Sequence, residues 1–351
     1  MNHIAAKSQL VIKPLTDADR PRWDAFVLEH PDATFCHRAG WRRVIERAFG
    51  HRTHYAFAER NGEITGIVPL TETKSRLFGH ALVSNAFCVY GGPVASDDES
   101  LTALTDHAAE MLQKTGAEHL EFRTVNAEPS PGWLLKDSLY VTFRRDISPD
   151  HEKNLNAVPR KQRAEIRKGI ANNLTTRVGH DARALHRVYG ESVRNLGTPV
   201  FPRRYFELLC EEFGEDAEIL VVEDSGTPVS AVLSFYFRDE VLPYYGGGTV
   251  AARERRGNEI MYWEVMKRAA DRGCRIFDFG RSKVDTGAYN FKKYWGFTPT
   301  PLKYKFKLGV GDTIPDINPL NPKYRLFIEA WKRLPLPVAN LVGPHLVRNL
   351  G

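Results

Sequence analysis

His54–Leu70 reads HYAFAERNGEITGIVPL, and Ile219–Leu233 reads ILVVEDSGTPVSAVL. Each is an apolar strand, an acidic residue, a glycine turn and a second apolar strand, the pattern of a β-hairpin. Glu59 and Gly62 match Glu223 and Gly226, both at a separation of 164 residues. Phe49-Gly50 and Phe213-Gly214 keep that separation and close two amphipathic segments, Gly40–Phe49 and Arg203–Phe213. Short strand–turn–strand likenesses are common, but a matched order with matched glycines points to internal duplication.

The likeness continues downstream. Val89–Val94 (VYGGPV) pairs with Tyr244–Val250 (YYGGGTV), and a helical pattern follows each. The first covers Ser100–Lys114, with Leu101, Leu104, Ala108, Met111 and Leu112 on one face. The second covers Asn258–Arg272, with Met261, Val265 and Ala269 at i, i+4 spacing and Asn258 as the cap. Gly116 and Gly273 stand where helix C-caps belong. Short strands follow at His119–Arg123 and Arg275–Phe279. The unit is helix, hairpin, strand, helix, strand, present twice, which makes a layered α/β (α+β) protein. A boundary is expected near Ser148–Asp150, after the strand-like Tyr140–Phe143, giving domains 1–148 and 149–314 and a tail, 315–351. In the tail, Asn318-Pro319 and Asn321-Pro322 read as a turn-rich linker. Tyr324–Leu334 reads as an amphipathic helix broken by Pro335 and Pro337. It either docks on the second domain or touches a membrane surface.

Composition fits two folded domains. Of 351 residues, 42% are hydrophobic and 26% charged, which excludes a largely disordered chain. The formal charge of +6 favours an anionic partner without choosing among phosphates, nucleic acid and lipid. Cys36, Cys88, Cys210 and Cys274 are far apart in sequence and read as reduced core thiols. Met1–Lys13 lacks the pattern of a signal peptide, and no stretch approaches the ~20 apolar residues of a membrane span. The expected location is the cytoplasm, with peripheral contact at the inner membrane as an option for the tail. Zinc spacings, a nucleophile elbow and a Walker motif are absent from the sequence, so no metal site is expected.

The unit order resembles the GNAT acyltransferase fold, and two in tandem resemble the Fem-type nonribosomal aminoacyl transferases. Pro159–Gly169 (PRKQRAEIRKG) resembles the basic helix opening the second Fem domain. Tyr90–Val94 (YGGPV) resembles the glycine-proline loop of the first, and Phe291–Phe297 (FKKYWGF) the family's Phe-Lys, aromatic-Gly motif. Asp278-Phe279-Gly280 resembles related acetyltransferase domains of polysaccharide loci. With the tail WKRLPLPVANLVGPHLVRNLG, these blocks look most like the FemAB-like proteins associated with PEP-CTERM/exosortase systems. The resemblance implies two tandem GNAT-like domains, an acceptor side in the first and a donor side in the second. It implies transfer of an aminoacyl or acyl group onto an amine of an envelope or exopolysaccharide precursor. The donor stays open between aminoacyl-tRNA and acyl-CoA, with no tightly bound cofactor. An acyl-CoA-dependent N-acetyltransferase and a noncatalytic module that binds anionic glycan carriers at the membrane are the alternatives.

The resemblance places Lys292 as the cation that stabilises a tetrahedral oxyanion, with Phe291 beside the donor. Asp278 and Arg281 end a strand, where catalytic groups often sit; Asp278 would position the amine and Arg281 a phosphate, or the two form a structural ion pair. Lys161, Arg163 and Arg167, with Lys168, share one predicted helix and suit an anionic substrate, or form a solvated face. Ala251–Ile260 (AARERRGNEI) stands where GNAT enzymes cradle a diphosphate, which makes Arg253, Arg256 and Gly257 cofactor candidates. Glu259 stands there in place of a second glycine. Tyr90 and Asn85 in the first domain are candidates for the acceptor pocket, the glycine loop otherwise being a tight turn, and Tyr245 in the second is a candidate for substrate binding.

Overall fold

The computed structural model describes residues 9–75, 78–125, 127–311, 313–314 and 322–350. The expected linker at 318–321 lies outside the described residues. The chain runs β1 (Val11–Pro14), α1 (Arg20–Glu29), α2 (Gly40–Phe49), β2 (Arg52–Arg60), β3 (Glu63–Ser75), β4 (Gly79–Ser84), β5 (Val94–Ala95), α3 (Asp98–Thr115), β6 (His119–Thr124) and β7 (Leu134–Lys136). It continues through β8 (Tyr140–Asp146), α4 (His151–Ala157), α5 (Arg160–Ala171), β9 (Thr175–Gly179), α6 (Ala182–Leu196), α7 (Arg203–Phe213), β10 (Ala217–Asp224), β11 (Thr227–Phe237) and β12 (Glu240–Gly248). It ends with α8 (Val250–Arg255), α9 (Gly257–Asp271), β13 (Ile276–Asp278), β14 (Ser282–Lys283), α10 (Gly287–Tyr294), β15 (Pro299–Pro301), β16 (Lys303–Leu308), α11 (Pro322–Lys332) and α12 (Leu336–Val347).

The two duplicated hairpins are β2–β3 and β10–β11. Their turns, Asn61-Gly62 and Ser225-Gly226, have positive φ at both residues (55° and 84°; 51° and 79°), as a two-residue hairpin turn matching the strand twist requires. Both hairpins carry a bulge at the matched acidic residue, between Ala58 and Glu59 and between Val222 and Glu223. The duplication thus extends to an irregularity of the ladder.

The two sheets share one strand order. The first is β1-β2-β3-β4-β6-β16-β7, with β5 on β3. The second is β14-β8-β13-β12-β11-β10-β9, with β15 on β8. In each, an antiparallel run meets one parallel pair, β4 with β6 and β12 with β13. The strand beyond that pair is exchanged. β8, from the end of the first half, pairs antiparallel with β13, and β16, from the end of the second, pairs antiparallel with β6. One compact unit therefore holds the residues up to Lys136 together with the stretch from Lys303, and the other holds Asp137–Leu302 and the C-terminal helices. This corrects the linear pieces 1–148 and 149–314. Tyr140–Phe143 is a strand as expected, but of the second sheet.

Two further expectations change. Tyr244–Gly248 is part of β12, whereas Val89–Val94 lies after β4 and closes a loop, so the two glycine motifs are not equivalent. Asn258 does not cap α9: the helix starts one residue earlier, at Gly257, and Asn258 Oδ1 is buried without a partner among the described residues.

In the first unit, α3 lays Leu104, Ala108 and Leu112 on a core with Val68, Leu70, Leu82 and Leu120. In the second, Gly246 and Gly247 admit helices from opposite faces of β12. A Cβ at Gly246 would meet Tyr262 Oη of α9 at 3.1 Å, and one at Gly247 would meet Ser192 of α6 at 2.6 Å. The four cysteines are buried thiols outside any disulfide. The tail docks on the second unit: Trp331 and Ala339 are buried, and Arg194 of α6 donates to the Lys332 carbonyl at 3.1 Å. Pro337 opens α12 rather than merely ending α11, because proline is tolerated in a first helical turn. Among the described residues, no helix is long and apolar enough to cross a membrane.

Candidate active site

The site is built where β12 and β13 part. They pair only at Glu240–Ile276 and Val241–Phe277, while β12 runs on to Gly248 without that neighbour. β13 ends at Asp278, and the chain turns through Gly280, at φ 67°, into β14 and α10. Thr286 caps α10 by accepting from the Tyr289 amide. Phe291 faces the aromatic core, 5.5 Å from Tyr262 and 6.4 Å from Phe279 between ring centroids. Lys292 turns the other way, toward the end of β13.

Lys292 is 8% exposed, and its Nζ donates to the carbonyls of Gly280 at 2.9 Å and Arg281 at 3.2 Å. Nζ also lies 5.6 Å from the Phe143 ring centroid. Burial pulls its pKa down to about 7; the Asp278 charge opposes this and Arg281 adds to it. Asp278 is fully buried. Its Oδ1 accepts from the Gly280 amide at 2.7 Å and from Thr142 Oγ1 at 3.1 Å, and Oδ2 lies 3.6 Å from Arg144 Nε. Arg144 also binds Glu240, whose carboxyl is pushed up to about 8 by burial and then by the Asp278 charge. Asp278 thus shapes the turn that holds Lys292, and Arg281 packs its guanidinium 4.4 Å from the Tyr140 ring centroid.

Thr142, Arg144 and Glu240 were missed in the sequence. They come from β8 and β12, and no local spacing links them to Asp278. Only the strand exchange brings β8 to this edge.

The cofactor candidates are placed differently from expectation. Ala251–Ile260 is not an open loop, because α8 fills it and leads directly into α9. Gly257 is needed for packing, since a Cβ there would lie 3.1 Å from Ala252 Cβ. Arg256 pairs with Glu165 of α5 and donates to the Arg253 carbonyl, while the Arg253 side chain is exposed. Burial raises the Glu259 carboxyl above its usual range. The start of α9 is thus packed against α8, with the Glu259 carboxyl in its first turn.

Asn85 and Tyr90 are buried in the first unit. Asn85 Nδ2 donates to the Cys36 carbonyl at 3.1 Å, and its Oδ1 accepts from Thr71 at 3.2 Å. Arg123 fixes the loop around Tyr90, donating to the Cys88 carbonyl at 2.8 Å while its own carbonyl accepts from the Gly91 amide at 2.7 Å. Tyr245 is buried in an aromatic cluster, its hydroxyl 2.8 Å from that of Tyr205.

The basic helix behaves otherwise. Arg160, Arg163, Ala164, Arg167, Lys168 and Ala171 line an open groove of about 500 Å³ along α5. Arg163 binds Asn156 Oδ1 at 2.7 Å and Lys168 binds Glu165 at 2.7 Å. Arg160, Lys161 and Arg167 carry no side-chain partner among the described residues.

Comparison with known proteins fits this layout. The family profile of the acetyltransferase (GNAT) domain matches residues 160–293, which include α5, the parted strands and Lys292. No curated protein sequence matches the chain. A crystal structure of FemX aligns over 91% of this chain and 100% of its own, at 17% identity and a TM-score of 0.66. A tandem GNAT protein from the clavulanic acid biosynthesis pathway aligns over 87% of this chain and 100% of its own, at 14% identity and a TM-score of 0.54. The C-terminal DUF2156 domain of an Agrobacterium fabrum protein aligns over 83% and 92%, at 14% identity and a TM-score of 0.55. A GNAT acetyltransferase domain in the second unit, within two sheets of one strand order, makes this chain an acyltransferase of tandem GNAT fold.

Proposed function

We propose that the protein is a Fem-like transferase that forms an amide on an amine of a cell-envelope or exopolysaccharide precursor. The observation that carries the reading is Lys292, buried and anchored through its Nζ where β12 and β13 part. The acceptor nitrogen attacks the activated carbonyl carbon and the new C–N bond forms. The oxyanion of the tetrahedral intermediate is stabilised by the Lys292 ammonium, already desolvated and fixed in place. The intermediate collapses with cleavage of the ester C–O bond, and the proton lost by the amine goes to the leaving oxygen. No covalent enzyme intermediate is required. The unpartnered cations of α5 suit the phosphates of a carrier on either substrate. The covered start of α9 favours an ester donor such as aminoacyl-tRNA over coenzyme A.

The match of residues 160–293 to an acetyltransferase domain favours a second reading, acyl-CoA as donor, which the GNAT fold typically uses. Titration calorimetry separates the two. Micromolar binding of acetyl-CoA supports the second reading, and transfer that depends on aminoacyl-tRNA supports the first. Mass spectrometry of envelope and exopolysaccharide precursors from a deletion strain tests both: an unchanged set of amide-linked groups would refute the acceptor class.

A further inference from the structure

α12 differs from the other surface helices. Its inner side, Ala339, Gly343 and Val347, is buried. Its outer side is apolar as well: Val338, Leu341 and Val342, at i, i+3 and i+4, are exposed, Leu341 to 73%. α11 adds exposed Phe327 and Leu326, the latter 83% exposed. Leu196, at the end of α6 and 65% exposed, precedes Gly197, which abuts Ile328 of α11. By contrast, the outer face of α7 carries the pairs Arg203–Glu207 and Arg204–Glu211, as a solvated helix should.

Charge selects the occupant of this face. Residues 322–350 hold five lysines and arginines and one carboxylate, Glu329, which pairs with Lys332 at 2.8 Å. Beyond Glu329 the stretch to Leu350 has none, while Arg333 and Arg348 flank α12. A second copy would bring the same cations face to face. An anionic phospholipid surface takes both features, acyl chains against the apolar side and phosphates against the cations. α12 has 12 residues, a length of about 18 Å, short of the ~30 Å hydrocarbon core, so it would lie in the interface.

We propose that α11 and α12 form an interfacial foot that seats the protein on anionic phospholipid. The proposal rests on the tail alone and not on the identity of the transferred group. The full chain is tested by co-sedimentation with vesicles of phosphatidylcholine containing about one third phosphatidylglycerol, and with phosphatidylcholine alone. The expected result is binding to the anionic vesicles that weakens with salt, and roughly tenfold or greater loss in Leu341→Glu/Val342→Glu. That variant changes exposed residues, so its circular dichroism and Tm should match wild type. Arg160→Glu/Arg167→Glu, on α5, should keep most of the binding. The proposal is overturned if wild type stays in the supernatant, or if the α5 variant loses binding while the α12 variant keeps it. It is also overturned if the α12 substitutions abolish a dimer rather than vesicle binding.

Discussion

The two copies of the unit differ most where their parallel strands end. In the first, β4 and β6 stay paired over four positions, up to Ser84, the last residue of β4. The Asn85–Gly92 loop then folds back on the strand ends, with Gly91 so close that a Cβ would lie 1.9 Å from the Ser84 carbonyl oxygen. In the second, two paired positions are followed by divergence, and the space beside β13 receives a buried carboxylate, a turn and a buried lysine. One strand order thus yields a closed end that stabilises and an open end that can do chemistry. The cause is local: a loop held by Arg123 in one copy, and a longer strand with α8 behind it in the other.

The strongest way to break this contrast is Lys292→Met. The methionine keeps the packing and removes the charge, so kcat should fall by roughly 10²–10³ with little change in Tm. Full activity in steady-state assays would move the chemistry elsewhere. Gly91→Ala strikes the closed end. With no room for the methyl, it should cost roughly 3 kcal/mol and lower Tm by roughly 10 °C, while kcat per folded molecule holds. A folded variant with lost kcat would place catalysis in the first unit. Arg160→Glu/Arg167→Glu should raise KM for a phosphate-bearing substrate roughly tenfold at unchanged kcat, an effect that shrinks in high salt.

A smaller effect sharpens the comparison through pH. If the ammonium form of Lys292 acts, turnover falls as pH rises through about 7, and a rate that rises there would make it a proton acceptor instead. The stability effect runs the other way. The folded pKa of Lys292 lies near 7 and the unfolded one near 10.5, so its stabilising contribution is complete above 10.5 and lost as pH falls to 7. Glu240 is opposite: raised from 4.5 to about 8, it stabilises fully below 4.5 and loses this as pH rises through 8. Urea unfolding of wild type and Lys292→Met across pH 7–10 should show the lysine's rise only in wild type.

Much of the fold was legible because it is written locally. Alternating apolar residues and paired glycines marked both hairpins, and 3.6-residue periodicity marked α2, α3, α7 and α9 to within a residue or two. The motif singled out Lys292, but its burial against the Gly280 and Arg281 carbonyls is a matter of the tertiary fold. The tight-turn reading of the Tyr90 loop was open to the sequence, but the partners that hold Tyr90 and Asn85, namely Arg123, Thr71 and Cys36, come from other elements. Arg256 read as a phosphate ligand because Glu165, its partner, lies far off in sequence.

The sequence by itself determined the duplication, the element types and the excess of cations, since turn chemistry, periodicity and charge need only neighbouring residues. The tertiary structure alone decided that β8 and β16 exchange sheets, that α8 covers the start of α9, and that Asp278 sets the turn which anchors Lys292. A strand's pattern tells which of its faces is apolar but not which edge it joins, and a charge is structural or available only once its neighbours in space are known.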